Sequence, residues 1–84
     1  MTRYIIVRRI RDVVTLAFDG IGVYLTKEEA RKDLAKIYEC YRNNNKRVMV
    51  SNLTKTEDSI VFDECFMGDD FIWRVEYMVV SFTL

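Results

Sequence analysis

Two cysteines and no histidine limit the chemistry that this 84-residue chain can perform. A catalytic thiol needs a base to form the thiolate, and histidine is the usual base at neutral pH. Cys40 falls in a predicted helix, and Cys65 directly follows two carboxylates, which oppose thiolate formation. The three glycines are scattered and form no phosphate-binding loop. We therefore predict that the protein is not an enzyme and holds no cofactor.

Acidic residues near the C-terminus occur as three adjacent pairs. These are Glu57 with Asp58, Asp63 with Glu64, and Asp69 with Asp70. If the hairpin ends converge, the pairs form a negative surface that docks onto a basic protein. Ordinary solvation of loops explains four of the six equally well. The segment Met67–Asp70 lacks the alternating oxygen ligands of a calcium loop, so no metal site is predicted.

Basic residues near the N-terminus offer a second binding chemistry. The cluster consists of Arg3, Arg8, Arg9 and Arg11, and Lys46 follows the predicted helix. Arginines beside aromatic residues are typical of nucleic-acid binding. The chain has no net charge, however, and no motif of the common RNA-binding folds. A nucleic-acid-binding module is therefore the alternative interpretation.

Charge is divided unevenly along the chain, although thirteen basic and thirteen acidic residues cancel. Residues 1–55 carry twelve basic and six acidic side chains, whereas residues 56–84 carry Arg74 alone against seven acids. Such asymmetry indicates charged partners. The alternative is pairing within the chain, in which the N-terminal arginines lie across from Glu76 or Asp63 on neighbouring strands.

The composition predicts one globular domain over residues 1–84. Half of the residues are apolar and 31% are charged, and a second core would need about 50 residues of its own. No apolar run of about 18 residues is present, so we predict no membrane span. The apolar stretch Tyr4–Val7 is too short for a signal peptide. We therefore expect a cytoplasmic protein.

One helix is predicted over residues 27–43. Thr26 and Glu29 have the spacing of a capping box at its start. The apolar residues that follow share one face of a 3.6-residue period, and they are Ala30, Leu34, Ile37, Tyr38 and Tyr41. Asparagines 43–45 then end the helix, because asparagine tolerates the left-handed conformation.

The remaining segments are predicted as strands, in the order β-β-(short β)-α-β-β-β. They cover residues 4–10, 13–18, 22–25, 47–53, 59–66 and 71–82. The pair Arg11-Asp12 between the first two strands predicts a tight hairpin. The fold class is therefore α+β, with a single helix on one face of a mostly antiparallel sheet of four to five strands.

The last strand is too apolar for one helix to cover. Up to Tyr77 it alternates, but Met78, Val80 and Phe82 make its second face apolar as well. Such a strand must be central in the sheet, bend, or meet another chain, since an exposed segment of this kind aggregates. We predict a central strand packed on both faces, with a homodimer surface at these three residues as the alternative.

The segment Gly22–Ala30, GVYLTKEEA, leads from a short strand into the helix. It resembles a stretch found in small uncharacterised α+β proteins of bacteriophages and mobile elements, and the resemblance extends to Lys36. That resemblance implies an accessory protein that binds and inhibits a host factor, and it supplies no active-site residues.

These observations predict a non-catalytic protein-binding domain of the inhibitor or adaptor type. Its partner would be a basic host protein that the acidic pairs meet, and the apolar end of the last strand would self-associate. We predict neither a membrane partner nor a small-molecule substrate.

Overall fold

The computed structural model describes residues 1–11, 13–16, 22–43, 48–66 and 71–83. Within these ranges the elements follow the predicted order. They are β1 (Thr2–Ile10), β2 (Val13–Leu16), β3 (Val23–Tyr24), α1 (Lys27–Asn43), β4 (Val48–Lys55), β5 (Ser59–Phe66) and β6 (Trp73–Thr83). No described helix is both long and apolar enough to span a membrane.

The strands form one antiparallel sheet in the order β2-β1-β6-β5-β4, with β3 paired to the other end of β1. The predicted α+β class is confirmed. The described sheet has six strands rather than four or five, because the short piece Val23–Tyr24 pairs with Tyr4 and Ile5. β6 lies in the middle of the sheet, as predicted. The structure shows the core on one of its two predicted packed faces, that of Val75 and Tyr77, whereas Val80 on the other face is 36% exposed.

Helix α1 begins where its cap predicts. The amide of Glu29 donates to Thr26 Oγ1 at 3.2 Å, which satisfies one of the free amides of the first turn. The helix ends at Asn43, and the predicted stop at residues 44–45 lies outside the described residues. The local sequence thus fixes the start of this helix.

The core lies between α1 and one face of the sheet. Leu34 of the helix is fully buried against residues that alternate along the central strands, namely Ile6, Ile60, Phe62, Val75 and Tyr77. The ring of Tyr41 packs on Phe62, with centroids 4.4 Å apart. Burial of these side chains is the main stabilising contribution in a domain of this size.

A β-bulge interrupts β4. The register with β5 shifts between Ser51 and Thr54, and Asn52 adopts a φ of 55°. Asparagine is one of the few residues that enter the left-handed region readily. The extra residue lets Leu53 pack against the core.

Candidate functional site

Helix α1 covers one face of the sheet, and within the described ranges no helix lies on the opposite face. We call that opposite face the uncovered face. Alternation along β1 and β6 places every second residue there. The uncovered face therefore carries the residues predicted for self-association and some of the predicted charged residues, and it divides into an apolar and a charged half.

The apolar half is formed by cross-strand neighbours on β1, β3 and β6. We call it the apolar stripe; it consists of Ile5, Val7, Val23, Met78, Val80 and Phe82. Val23 is 49% exposed and Val80 36% exposed. Val7 is buried outside the core cluster, opposite Met78. The three residues predicted for self-association thus lie together on a single face.

The charged half surrounds a cavity of about 510 Å³. We call it the arginine pocket; its lining residues are Arg9, Arg11, Val61, Arg74 and Glu76. Arg9 forms an ion pair with Glu76 directly across from it, which confirms the predicted pairing within the chain for these two residues. The guanidinium carbon of Arg11 lies 3.9 Å from the ring centre of Trp73, a cation–π geometry.

The predicted basic cluster does not form one surface. Arg8 pairs with Tyr77 and shares the helix-covered face, whereas Arg9 lies on the uncovered face. Arg3 donates to the carbonyl of Thr2 at 3.0 Å, at the far end of β1. Lys46 lies outside the described residues. Only two of the five predicted basic residues are thus shown to meet, in the arginine pocket.

Arg74 lines this pocket and Trp73 contacts its Arg11, although neither residue was predicted as part of a site. The antiparallel pairing of β1 with β6 brings them there, because Arg9 lies opposite Glu76 and Ile10 opposite Val75. A signal was present in the alternation of β6, which places Arg74 and Glu76 on one face. The register that aligns them with the N-terminal arginines has no local signature.

The first acidic pair is held by helix α1. Glu57 and Asp58 lie in the turn between β4 and β5. Arg31 Nε donates to Asp58 Oδ1 at 2.7 Å, Arg31 Nη2 lies 3.2 Å from Glu57, and Lys27 Nζ lies 3.6 Å from Asp58. These carboxylates therefore face cations of their own chain.

The second acidic pair is split by the sheet. Asp63 lies on the uncovered face, where it accepts from Asn52 at 2.8 Å and from Arg74 Nε at 3.4 Å. Glu64 points to the opposite face, because adjacent residues of a strand alternate. The third pair, Asp69 and Asp70, lies outside the described residues. The four described residues of the acidic pairs thus lie in three places: the turn beside α1, the uncovered face and the helix-covered face.

Hydrogen bonds lower the pKa of two of these carboxyls. The pKa of Asp58 is lowered chiefly by the hydrogen bond from Arg31. The positive charges of Arg31 and Lys27 lower it further. The pKa of Asp63 is lowered first by the bond from Asn52 and then by Arg74. Both groups therefore stay ionised at neutral pH.

Asp58→Asn should lower stability at neutral pH and lose that effect in acid. A carboxyl whose pKa is lowered in the folded state contributes stability above its unfolded pKa of about 3.9, and this contribution disappears as the pH falls through the folded value. Urea unfolding at pH 7 and at pH 2.5 measures the gap between wild type and variant. Glu57→Gln, at a more exposed partner of the same arginine, should show a smaller gap. A gap for Asp58→Asn that is equal at both pH values would contradict the assignment.

Two tyrosines on the helix side have phenols that resist ionisation. Burial raises the pKa of Tyr24 to about 12, and its hydrogen bond to Asp33 at 2.7 Å adds to the shift. Burial also raises the pKa of Tyr41, whose hydroxyl is 2.8 Å from that of Tyr77. These hydroxyls join the helix to the sheet.

The described residues contain no group of three or more side chains that could hold a metal ion. No protein-family model matches the chain, and no curated protein or solved structure shows significant similarity to it. The assignment of function therefore depends on the geometry of the uncovered face.

Proposed function

We propose that the chain is a non-catalytic protein-binding domain that docks through the uncovered face of its sheet, and that one occupant of this face is a second copy of the chain. The observation that carries the proposal is the apolar stripe. Met78, Val80 and Phe82 lie beside Ile5 and Val7 there, on the side away from the helix.

The layering of the fold supports this proposal. Stable domains bury both faces of an apolar sheet against another layer, and here α1 supplies a layer on one side. A second sheet packs face to face at about 10 Å, which is the ordinary geometry of a β-sandwich. A second copy offers an identical stripe, as a two-fold dimer requires.

The available area is consistent with a weak dimer. Five strands spaced about 4.8 Å apart, with about eight residues each at about 3.3 Å, cover roughly 600 Å². The apolar half is about half of this area, so two copies that join their stripes and leave the arginine pockets open bury roughly 600 Å² in total, which is typical of weak, transient contacts. We therefore expect weak self-association, with a dissociation constant of roughly tens of micromolar, driven by the apolar half of the face.

The same geometry favours the sheet face over the acidic pairs as the main docking surface. A basic partner would have to displace Arg31 from Asp58 and Arg74 from Asp63 before it could bind them. The apolar stripe has no such competitor among the described residues. Docking onto a basic host protein, and the inhibitor or adaptor role that the resemblance of residues 22–36 implies, stay predictions.

Val80→Lys tests the proposal. A lysine in the middle of the stripe places a charge at the interface, and the dimer should dissociate at least about tenfold more readily. Sedimentation equilibrium from 1 to 100 μM measures this, with wild type expected to convert from monomer to dimer across that range.

Val13→Lys is the matched control, because Val13 is an exposed valine of the same sheet. Val13 pairs with Ile10, which packs against the core, so Val13 lies on the helix-covered face and outside the apolar stripe. This variant should dimerise like wild type. A wild-type chain that stays monomeric at 100 μM would overturn the self-association, and equal loss in both variants would remove the stripe as its location.

A further inference from the structure

The arginine pocket carries more positive than negative charge among the described residues. Glu76 pairs with Arg9 and Asp63 with Arg74, so two carboxylates face three guanidinium groups. The third guanidinium, that of Arg11, stacks on Trp73 and makes no hydrogen bond to a described protein acceptor. Among the residues that the structure describes, the pocket therefore has one positive charge more than its paired carboxylates neutralise.

Each of the three arginines contacts a neighbouring side chain within the described residues. Arg11 lies in the turn after β1 with a φ of 57°, and its guanidinium rests on the indole ring. Arg9 is fixed by Glu76 across the strands. Arg74 Nε contacts Asp63, which also accepts a hydrogen bond from Asn52. Groups that are ordered in advance lose less conformational freedom on binding.

We infer that this pocket binds the carboxylate of an acidic side chain presented by a protein partner. The inference rests on the proposed protein-binding function and specifies the chemistry of a partner at the charged half of the uncovered face. A guanidinium fork matches a carboxylate in two parallel hydrogen bonds. One excess positive charge is neutralised by a single carboxylate.

The lining of the pocket favours a carboxylate over a phosphate. Glu76 remains part of the wall, and it repels a dianion more than a monoanion. Val61 supplies an apolar patch between the charges, which suits the methylene groups of a glutamate side chain. The cavity of about 510 Å³ is large enough for such a side chain together with its backbone.

The distribution of charge also favours a peptide over a nucleic acid. A nucleic acid presents a phosphate every few ångströms and needs a continuous row of basic groups. Here the cations are local, because Arg8 lies on the opposite face and Arg3 at the other end of β1. A single acidic side chain needs no such row.

The pocket is compatible with a dimer through the apolar stripe. Two positively charged pockets repel one another, so a face-to-face dimer places the stripes together and keeps the pockets apart. The pocket then remains open in the dimer. Binding of an acidic peptide and self-association can therefore be tested separately.

The probe is an N-acetylated, C-amidated tetraglutamate peptide, with tetraglutamine as its uncharged counterpart. Trp73 is the single tryptophan of the chain, and Arg11 stacks on it, so its fluorescence reports occupation of the pocket. We expect saturable binding of the glutamate peptide that weakens as salt rises, and at least about tenfold weaker binding of the glutamine peptide.

Arg11→Gln should weaken the glutamate peptide about tenfold or more, and Arg74→Gln should do so as a second variant in the same cavity. Arg42→Gln is the matched control, because Arg42 lies on the last turn of α1 next to Glu39. It should bind like wild type. Unchanged affinity in both pocket variants would overturn the inference.

Two further ligands and one variant distinguish failure of the carboxylate assignment from failure of the self-association proposal. Inorganic phosphate or a single-stranded oligonucleotide that binds more tightly than the peptide would contradict the carboxylate assignment. The stripe variant Val80→Lys should still bind the glutamate peptide, since it leaves the pocket intact. Peptide binding by a chain that never dimerises would remove the self-association proposal and leave the pocket standing.

Discussion

Phe62→Ala should destabilise the protein by about 3–5 kcal/mol, which is the usual cost of removing a buried aromatic ring. Phe62 is 1% exposed, and its ring lies 4.4 Å from that of Tyr41 and 6.3 Å from that of Tyr77. The substitution therefore removes apolar burial and two aromatic contacts at once. A chain of this length has about 4–12 kcal/mol of total stability, so the substitution removes from about a quarter to all of it.

Phe71→Ala provides a matched control, because the same ring is lost from a residue that is 61% exposed. Its effect should stay within about 0.5 kcal/mol, as for other surface substitutions. Urea unfolding followed by circular dichroism measures both variants. If the two substitutions had equal effects, the core would not be centred on Phe62 as the structure describes it.

The local parts of the fold were predictable from the sequence. The bounds of helix α1 match the prediction at both ends, because the Thr26 cap and the 3.6-residue apolar period are both contained in the segment. The bounds of β5 match as well, since polar loops enclose its apolar run. The central place of β6 followed from its two apolar faces.

The candidate site was less predictable, because it is built from long-range pairing. Arg9 and Arg74 are 65 positions apart, and the pairing of the first strand with the last brings them to one cavity. Alternation in each strand indicates which residues share a face. It does not indicate which strands are neighbours, so the pocket could not be assembled from the sequence.

The acidic pairs show a second physical limit. Two adjacent residues in a strand point to opposite faces, so Asp63 and Glu64 cannot join one surface while both remain in regular β5. Residues in a turn do not alternate in this way, and Glu57 and Asp58 both contact Arg31. Their position beside Arg31 depends on how α1 crosses the sheet, which the sequence does not state.

Asn52→Val should cost about 2 kcal/mol or more, although Asn52 is exposed on a strand that lies at one edge of the sheet. Its φ of 55° is a conformation that costs most L-residues about 1–2 kcal/mol, and branching at Cβ raises that penalty. Strand propensity alone does not predict this loss of stability, because valine is favoured at an ordinary strand position. Denaturant unfolding measures the change in free energy.

Asn52→Gly separates the backbone from the side chain at the same position. Glycine enters the left-handed region freely, so this variant should keep most of the stability that valine loses. Both variants remove the hydrogen bond to Asp63, which is the largest cause of the lowered pKa of that carboxyl. The pKa of Asp63, followed by carboxyl NMR, should therefore rise in both, whereas the free energy of unfolding should fall strongly only with valine. Equal destabilisation by glycine and valine would mean that the side-chain amide, and not the bulge conformation, stabilises this edge of the sheet.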